Sequence, residues 1–330
     1  MALSWLLRLK QKRVNLSALI AILLFVLIFS LIFFDYMYFT DRPLPIVSAP
    51  LFKNIYGEPS FLAEIDRFQD EGLRGPSAVA GGPDGKIYVV DTGSSRVLVF
   101  SHDGKPLLKF GKGGTTEGEF NYPYAIAVDE ADRIYVGQFK SPRIQVFDAQ
   151  GKFLRKIDAS TAGVNVAPLA LALDKEGKIY AANQDGKILV LGQDGKLIKS
   201  FGGPGGADGF LSYPKGIALS GDQIYVSDTN NGRVQIFNLD GKLLKVVRGS
   251  ELKVQMPTGI SVAEDGTIFL VDSFGSQVNA YDNKFSLLSS TGSKGSGDGE
   301  LNFPVGIAVD NYGKLVVADM ANDRVSVFQR

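Results

Sequence analysis

The sequence predicts an all-β fold, a six-bladed β-propeller of four-stranded antiparallel blades, preceded by an amino-terminal transmembrane helix. Three observations predict the propeller. Six prolines (Pro76, Pro123, Pro168, Pro214, Pro257 and Pro304) recur at intervals of 43 to 47 residues, a period that belongs to propellers, solenoids or arrays. The intervals carry short apolar runs, four in a full repeat, rich in β-branched residues, too short for globular helices and punctuated by Gly, Asp and Asn. The run after each proline is built from small residues, as in Ala125-Ile126-Ala127-Val128 and Gly306-Ile307-Ala308-Val309. Small side chains suit the innermost strands of a closed ring, which crowd one another near the axis.

Taken in order, the chain begins with a basic tail, 1–15, that holds Arg8, Lys10, Lys12 and Arg13. Leu16 to Phe34 then runs for 19 residues without a charge, enough to cross a bilayer core of about 30 Å as a helix. Tyr36, Tyr38 and Phe39 follow as an interfacial aromatic belt, so the transmembrane helix is expected over 16–39. Basic residues before the span place the amino terminus in the cytoplasm and the remainder outside the cell membrane, a single-pass signal anchor with an extracytoplasmic propeller. A cleaved signal peptide is the competing reading, because Val47-Ser48-Ala49 resembles a cleavage site. The linker 40–50 contains Pro43, Pro45 and Pro50 and is expected to be stiff, spanning about 30 Å at most.

The remaining residues, 51–330, form the expected propeller. With 38 glycines and 14 prolines the chain suits a turn-dense β protein. It has no cysteine, which excludes disulfides, thiolate metal ligands and thiol nucleophiles. The whole chain is formally neutral, yet beyond residue 39 there are 31 basic and 34 acidic residues. A slightly acidic domain gives no electrostatic case for a nucleic-acid partner.

The second strand of each repeat reads IYVVD, IYVGQ, IYAAN, IYVSD, IFLVD or LVVAD, and the third RVLVF, RIQVF, KILVL, RVQIF, QVNAY or RVSVF. Runs this continuously apolar fit sheets covered on both faces. Blade four is the clearest copy: Pro214, Gly216-Ile217-Ala218, Tyr225-Val226-Ser227-Asp228, then Asn231-Gly232-Arg233-Val234-Gln235-Ile236-Phe237. These units resemble the NHL-repeat family over about residues 50–330. The resemblance implies the six-bladed fold, but the family hosts enzymes, RNA binders and protein-binding modules, so it does not by itself select a function.

The sixth repeat reaches Arg330 directly after its third strand, so its fourth strand must come from elsewhere. Leu51-Phe52-Lys53-Asn54-Ile55-Tyr56 matches the other fourth strands and is expected to close blade six as strand 51–56. Between Gly57 and Pro76 the connection is 19 residues, against 12 in three other blades. Its Phe61, Leu62, Ile65 and Phe68 stand at helical spacing, which predicts a short helix within 58–75, either packed on the blade edges or forming a lid over the mouth.

Candidate chemistry is sparse. The Asp-Gly-Lys copies beginning at Asp84, Asp103, Asp185, Asp194 and Asp240 are hairpin turns, not phosphate loops. Asp228-Thr229-Asn230-Asn231-Gly232 has Leu239 where a calcium loop needs a bidentate Glu. His102, the single histidine, lies in a turn, so a histidine-rich zinc site cannot be assembled. The amidating lyases of the wider family use zinc and histidine ligands, and that activity does not carry over.

Two polar columns recur: Asp91, Gln138, Asn183, Asp228, Asp272 and Asp319 end the second strands, and Arg96, Arg143, Lys187, Arg233, Gln277 and Arg324 follow. The pairs Asp91 and Arg96, Asp228 and Arg233, Asp319 and Arg324 are expected to be exposed turn-capping pairs worth about 0–1 kcal/mol each. Ser77, Tyr124, Leu169, Lys215, Thr258 and Val305 follow the prolines and are expected to face the central channel at one mouth, with Tyr122, Phe139, Tyr213, Phe274 and Phe303 as an aromatic rim.

The expected function is a non-enzymatic binding scaffold or sensor that takes a protein partner or small ligand at this face, without a cofactor. The alternative is a hydrolase or lyase of the lactonase-like propeller type, whose carboxylates hold Ca2+ or another divalent cation at the mouth.

Overall fold

The computed structural model describes residues 59–158, 164–310 and 312–330. The transmembrane segment 16–39, the linker 40–50 and the strand 51–56 lie outside the described residues. Among those that are described, no helix is long and apolar enough to cross a membrane.

The described chain builds six four-stranded antiparallel sheets. Blade four shows the pattern: Gly216–Ser220, Gln223–Asp228, Arg233–Asn238 and Leu243–Arg248 pair in chain order. The apolar runs alternate between two buried faces, and each face packs on the next blade. Six core clusters result, one at each blade interface. Between blades one and two, for instance, Val97 and Val99 meet Ile126, Ile134 and Val136.

Close approach around the axis explains the small residues of the first strands. A Cβ on Gly216 would stand 2.2 Å from the Thr258 carbonyl oxygen, and one on Gly259 2.7 Å from that of Val305. Blades one to three place Ala78, Ala125 and Ala170 at the same position.

Blade six is closed by an amino-terminal strand, but not the expected one. Ser60–Ile65 pairs antiparallel with Arg324–Gln329, with Phe61 opposite Phe328 and Ile65 opposite Val325. The match to the other blades is detailed. Each fourth strand carries one bulged aliphatic residue turned to solvent: Leu107, Leu154, Ile198, Leu244 and Leu288 in blades one to five, Leu62 in blade six.

That bulge also accounts for the spacing that suggested a helix. Skipping Leu62 shifts the strand parity, so Phe61 packs between blades five and six while Ile65 packs between blades six and one. The helix expected in 58–75 is therefore absent among the described residues 59–75. Its place is taken by Ser60–Ile65 and a two-stranded hairpin of Arg67–Phe68 and Glu71–Gly72, whose Phe68 packs edge-on against Phe100 at 5.6 Å. The hairpin leans on blade one rather than covering the channel as a lid, because Phe68 belongs to the buried core.

Candidate functional site

Each blade begins by entering its first strand beside the end of its second, since Pro76 pairs with Asp91, Pro123 with Gln138 and Pro304 with Asp319. The incoming backbone N–H needs an acceptor there, and the first polar column supplies one in all six blades. Arg74 N donates to Asp91 Oδ1 at 2.7 Å, Asn121 N to Gln138 Oε1 at 2.8 Å and Ala167 N to Asn183 Oδ1 at 2.7 Å. Ser212, Met256 and Asn302 do the same to Asp228, Asp272 and Asp319 at 2.6, 3.0 and 2.6 Å.

The aspartate and arginine pairs are buried, not exposed. Asp91, Asp228 and Asp319 are fully covered, and Arg96, Arg233 and Arg324 nearly so. The Nε of each arginine donates to its aspartate at 2.7–2.9 Å. The burial comes from the preceding connections, which fold over the guanidinium groups. Arg233 Nη2 donates to the Ala207 and Phe210 carbonyls at 2.8 and 2.9 Å, and Arg324 Nη2 to those of Gly297 and Glu300 at 2.9 and 2.8 Å. Arg96 grips the hairpin through the Gly72 carbonyl at 3.0 Å and Glu71. Removing one member of such a pair strands a buried charge, at a cost of about 3–5 kcal/mol rather than the small value of an exposed pair.

This framework sets the mouth of the central channel, a half-open cleft lined by the first strands of the blades. Ser77, Tyr124, Leu169, Lys215 and Val305 line it; Thr258 does not, and Gly259 lines blade five instead. Thr258 is fully buried, its hydroxyl 2.8 Å from that of Ser273. Ser77 is likewise committed, donating to the Tyr124 carbonyl at 3.2 Å and accepting from Thr92 at 2.6 Å. Leu169 and Val305 are buried between blades. Tyr124 and Lys215 are left as the half-buried members of the set.

Those two stand in an aromatic arc. Tyr122 stacks on Tyr124 with ring centroids 6.2 Å apart and planes 8° from parallel, and Phe139 lies 6.1 Å from Tyr122. The Lys140 ammonium sits over the Tyr122 ring at 5.0 Å, and the Lys215 ammonium over the Tyr213 ring at 5.4 Å. Phe274, 63% exposed, pairs with Phe303 at 6.0 Å as a separate apolar couple. Lys140 was not singled out in the sequence. Its signal is a cation beside Phe139 in the turn that follows the second strand of blade two.

Tyr122, Tyr213 and Phe303 share a further property: each precedes its proline with φ of 60, 54 and 51°. A bulky residue in this left-handed region costs of order 1–3 kcal/mol. Blade one uses Gly75, φ 54°, at the same step without that cost.

Burial shapes the electrostatics. It pushes the Lys215 ammonium below the usual lysine range and raises the Tyr124 phenol well above the ordinary tyrosine value, with neighbouring Tyr213 and Tyr122 adding to the latter. Tyr213 is raised by burial as well. No carboxylate is among the channel-lining residues, so Lys215 is the one charged side chain in that lining. Among the described residues no group of three or more His, Asp or Glu side chains is placed to hold a metal ion. His102 lies in the exposed turn between strands three and four of blade one, 5.9 Å from the Tyr312 ring.

Comparison with known proteins agrees with the architecture. A family model described as a 6-bladed beta-propeller matches residues 80–196, and the NHL repeat model matches residues 211–237. The E3 ubiquitin-protein ligase TRIM32 of Mus musculus is 27% identical over 258 residues, 68% of this chain and 38% of that protein. Protein brain tumor of Drosophila melanogaster is 29% identical over 106 residues, 32% of this chain and 10% of that one. The chain thus spans about two fifths or less of the length of these relatives.

Among solved structures, a gluconolactonase from Xanthomonas campestris superimposes with a TM-score of 0.61 at 17% identity, covering 83% of this chain and 95% of that one. Virginiamycin B lyase from Staphylococcus aureus gives 0.57 at 14% identity, covering 78% and 95%. At such identities the likeness extends to the fold alone.

Proposed function

We propose that this chain is a non-enzymatic binding module, held at the outer side of a membrane by the apolar segment 16–39. Its mouth arc of Tyr122, Tyr124, Tyr213, Lys140 and Lys215 takes an acidic segment of a protein partner. The observation that carries the reading is Lys215: a partly desolvated ammonium in a channel lining without any carboxylate, with the Tyr213 ring as its close contact. A carboxylate supplied from outside fits that vacancy in charge, and a charge-assisted hydrogen bond counts for more there than at open surface. Aromatic rings beside a cation are the composition of protein-binding hot spots. TRIM32 is named as a ligase that acts on proteins, and likeness to a 258-residue stretch of it supports a protein partner.

The reading is tested with the full-length chain in detergent and fluorescent Glu-rich and Lys-rich hexapeptides, followed by anisotropy. The Glu-rich peptide binds, Lys215→Met weakens it by about tenfold or more, and added salt weakens it further. Equal binding of the Lys-rich peptide, or no loss in Lys215→Met, overturns the reading. The topology is checked separately: the chain has no cysteine, so Phe274→Cys supplies a unique exposed thiol. That thiol reacts with an impermeant maleimide added to intact cells if the propeller is outside, and only after lysis if it is not.

A further inference from the structure

The three rings that precede a proline stand on alternate blades: Tyr122 on blade two, Tyr213 on blade four and Phe303 on blade six. The blades between them place Gly75, Ala167 and Met256 there. Each ring follows a connection of the same build, in which Gly113 bridges to Phe120, Pro204 to Leu211 and Lys294 to Leu301. The mouth therefore has three ring stations, and they are furnished differently.

At the first two an ammonium lies over the ring, Lys140 over Tyr122 at 5.0 Å and Lys215 over Tyr213 at 5.4 Å. At the third the companion is another ring, since Phe274 meets Phe303 at 6.0 Å with the planes 52° apart. Phe274 stands two residues past the second strand of blade five, the turn position that Lys140 holds in blade two. The other blades put Gly93, Asp185, Asn230 and Ala321 there, so the turn itself needs no large apolar side chain.

Phe303 packs against the core between blades six and one and is fixed by it. Phe274 is the most exposed large apolar side chain among the described residues. Covering such a ring is favourable, because it takes apolar surface out of water. The carboxylates of the neighbouring turns are engaged elsewhere. Asp272 holds the Gln255 and Met256 amides, Asp319 holds Arg324, Asp323 accepts from Gly75 N at 2.6 Å and Asp185 from Asn183 Nδ2 at 2.8 Å. Two stations thus offer positive charge and the third offers an apolar surface.

We infer that the partner segment is amphipathic, with carboxylates for the Lys140 and Lys215 stations and one aromatic or large aliphatic side chain that packs on Phe274 and Phe303. This rests on the acidic-segment reading above and adds the residue that must accompany the acids. A uniformly acidic segment would lay a carboxylate against the negative faces of two rings and leave Phe274 in water. A uniformly apolar one would strip water from two ammonium groups and give nothing back. A mixed segment satisfies all three stations.

The test uses full-length protein in lipid nanodiscs, so that no detergent covers the Phe274 ring, with empty nanodiscs as the blank. Fluorescent Glu-rich nonapeptides carry one Phe, moved through every position, and a matching set carries Ala instead. By anisotropy the best Phe peptide binds about tenfold tighter than its Ala match. Phe274→Ser brings that ratio toward one, whereas Lys215→Met weakens both members of the pair and keeps the ratio. Equal affinities throughout the two sets, or an undiminished ratio in Phe274→Ser, overturn this inference alone, because the Ala peptides still bind and still respond to Lys215→Met. Ala peptides that fail to bind wild type, or that bind Lys215→Met equally well, overturn the acidic-segment reading and this inference with it.

Discussion

In blades one, four and six the second strand ends in a buried aspartate facing an arginine, followed by a 3-10 turn at Thr92–Ser94, Thr229–Asn231 or Met320–Asn322. In blades two, three and five the same two positions carry Gln138 and Arg143, Asn183 and Lys187, and Asp272 and Gln277. What survives in every blade is the acceptor for the incoming amide. The charge pair does not survive. Asn183 satisfies its nitrogen on the Asn165 carbonyl and Asp185, at 2.9 and 2.8 Å, and Asp272 turns its second oxygen to the Gln255 amide at 3.0 Å. The two columns therefore have separate duties. The first caps the strand entry; an arginine in the second grips the carbonyls of a long connection, and Arg143 does so with no aspartate beside it.

The largest test of that division compares Asp228→Ala with Asn183→Ala. The first strands Arg233, 2% exposed, and loses about 3–5 kcal/mol of unfolding free energy. The second leaves the Ala167 amide unpaired and loses about 1–3 kcal/mol. Urea unfolding of the full-length variants reads both, and equal losses would erase the distinction between the two groups of blades.

The inner strands divide the ring along another line, Ala in blades one to three and Gly in blades four to six. Gly259→Ala pushes a methyl to 2.7 Å from the Val305 carbonyl oxygen and costs about 1–3 kcal/mol, whereas Ala170→Gly costs about 0.5–1 kcal/mol through backbone entropy. A tolerated Gly259→Ala would mean that the ring can widen at this interface.

The smallest effect concerns Lys215. Burial lowers its pKa in the folded chain. Between that value and the ordinary lysine pKa of about 10.4, the unfolded chain holds more protons, so the residue makes stability rise with pH. Tyr124 and Tyr213, raised by burial, act in the opposite sense above about pH 10, where the unfolded chain loses its phenolic protons first. The wild-type curve minus the Lys215→Met curve isolates the lysine, and it slopes upward with pH in this window. A flat difference would mean that Lys215 titrates alike in both states.

Much of the fold was legible because proline register, small inner strands and apolar runs recur six times, and each copy checks the others. The closing strand was not, since Leu51-Phe52-Lys53-Asn54-Ile55-Tyr56 and Phe61-Leu62-Ala63-Glu64-Ile65 both suit an outer strand. Blade two's Phe153-Leu154-Arg155-Lys156-Ile157 is the copy that identifies the second of these. Helical spacing misled there because a strand bulge also displaces apolar residues from strict alternation. The buried state of the Asp and Arg pairs was hidden because loops distant in sequence cover them. At the mouth, the post-proline positions were legible as a set, but Thr258 turns to Ser273 and Ser77 to its neighbours. Which hydroxyl bonds its neighbour is a matter of contacts that the repeat pattern does not carry.

The pairing of Ser60–Ile65 with Arg324–Gln329 also sets a timetable. Glu64 and Arg324, which bond across it, are 260 residues apart. At a synthesis rate of about 5–20 residues per second, the first strand waits roughly 13–50 s for its partner to be made. During that time Phe61 and Ile65 have no finished interface to enter, and the ring is an open arc with two unsatisfied edges. Closure thus waits for synthesis of the sixth blade's third strand, so anything that shields the early strand in the interval decides how much chain reaches the closed form.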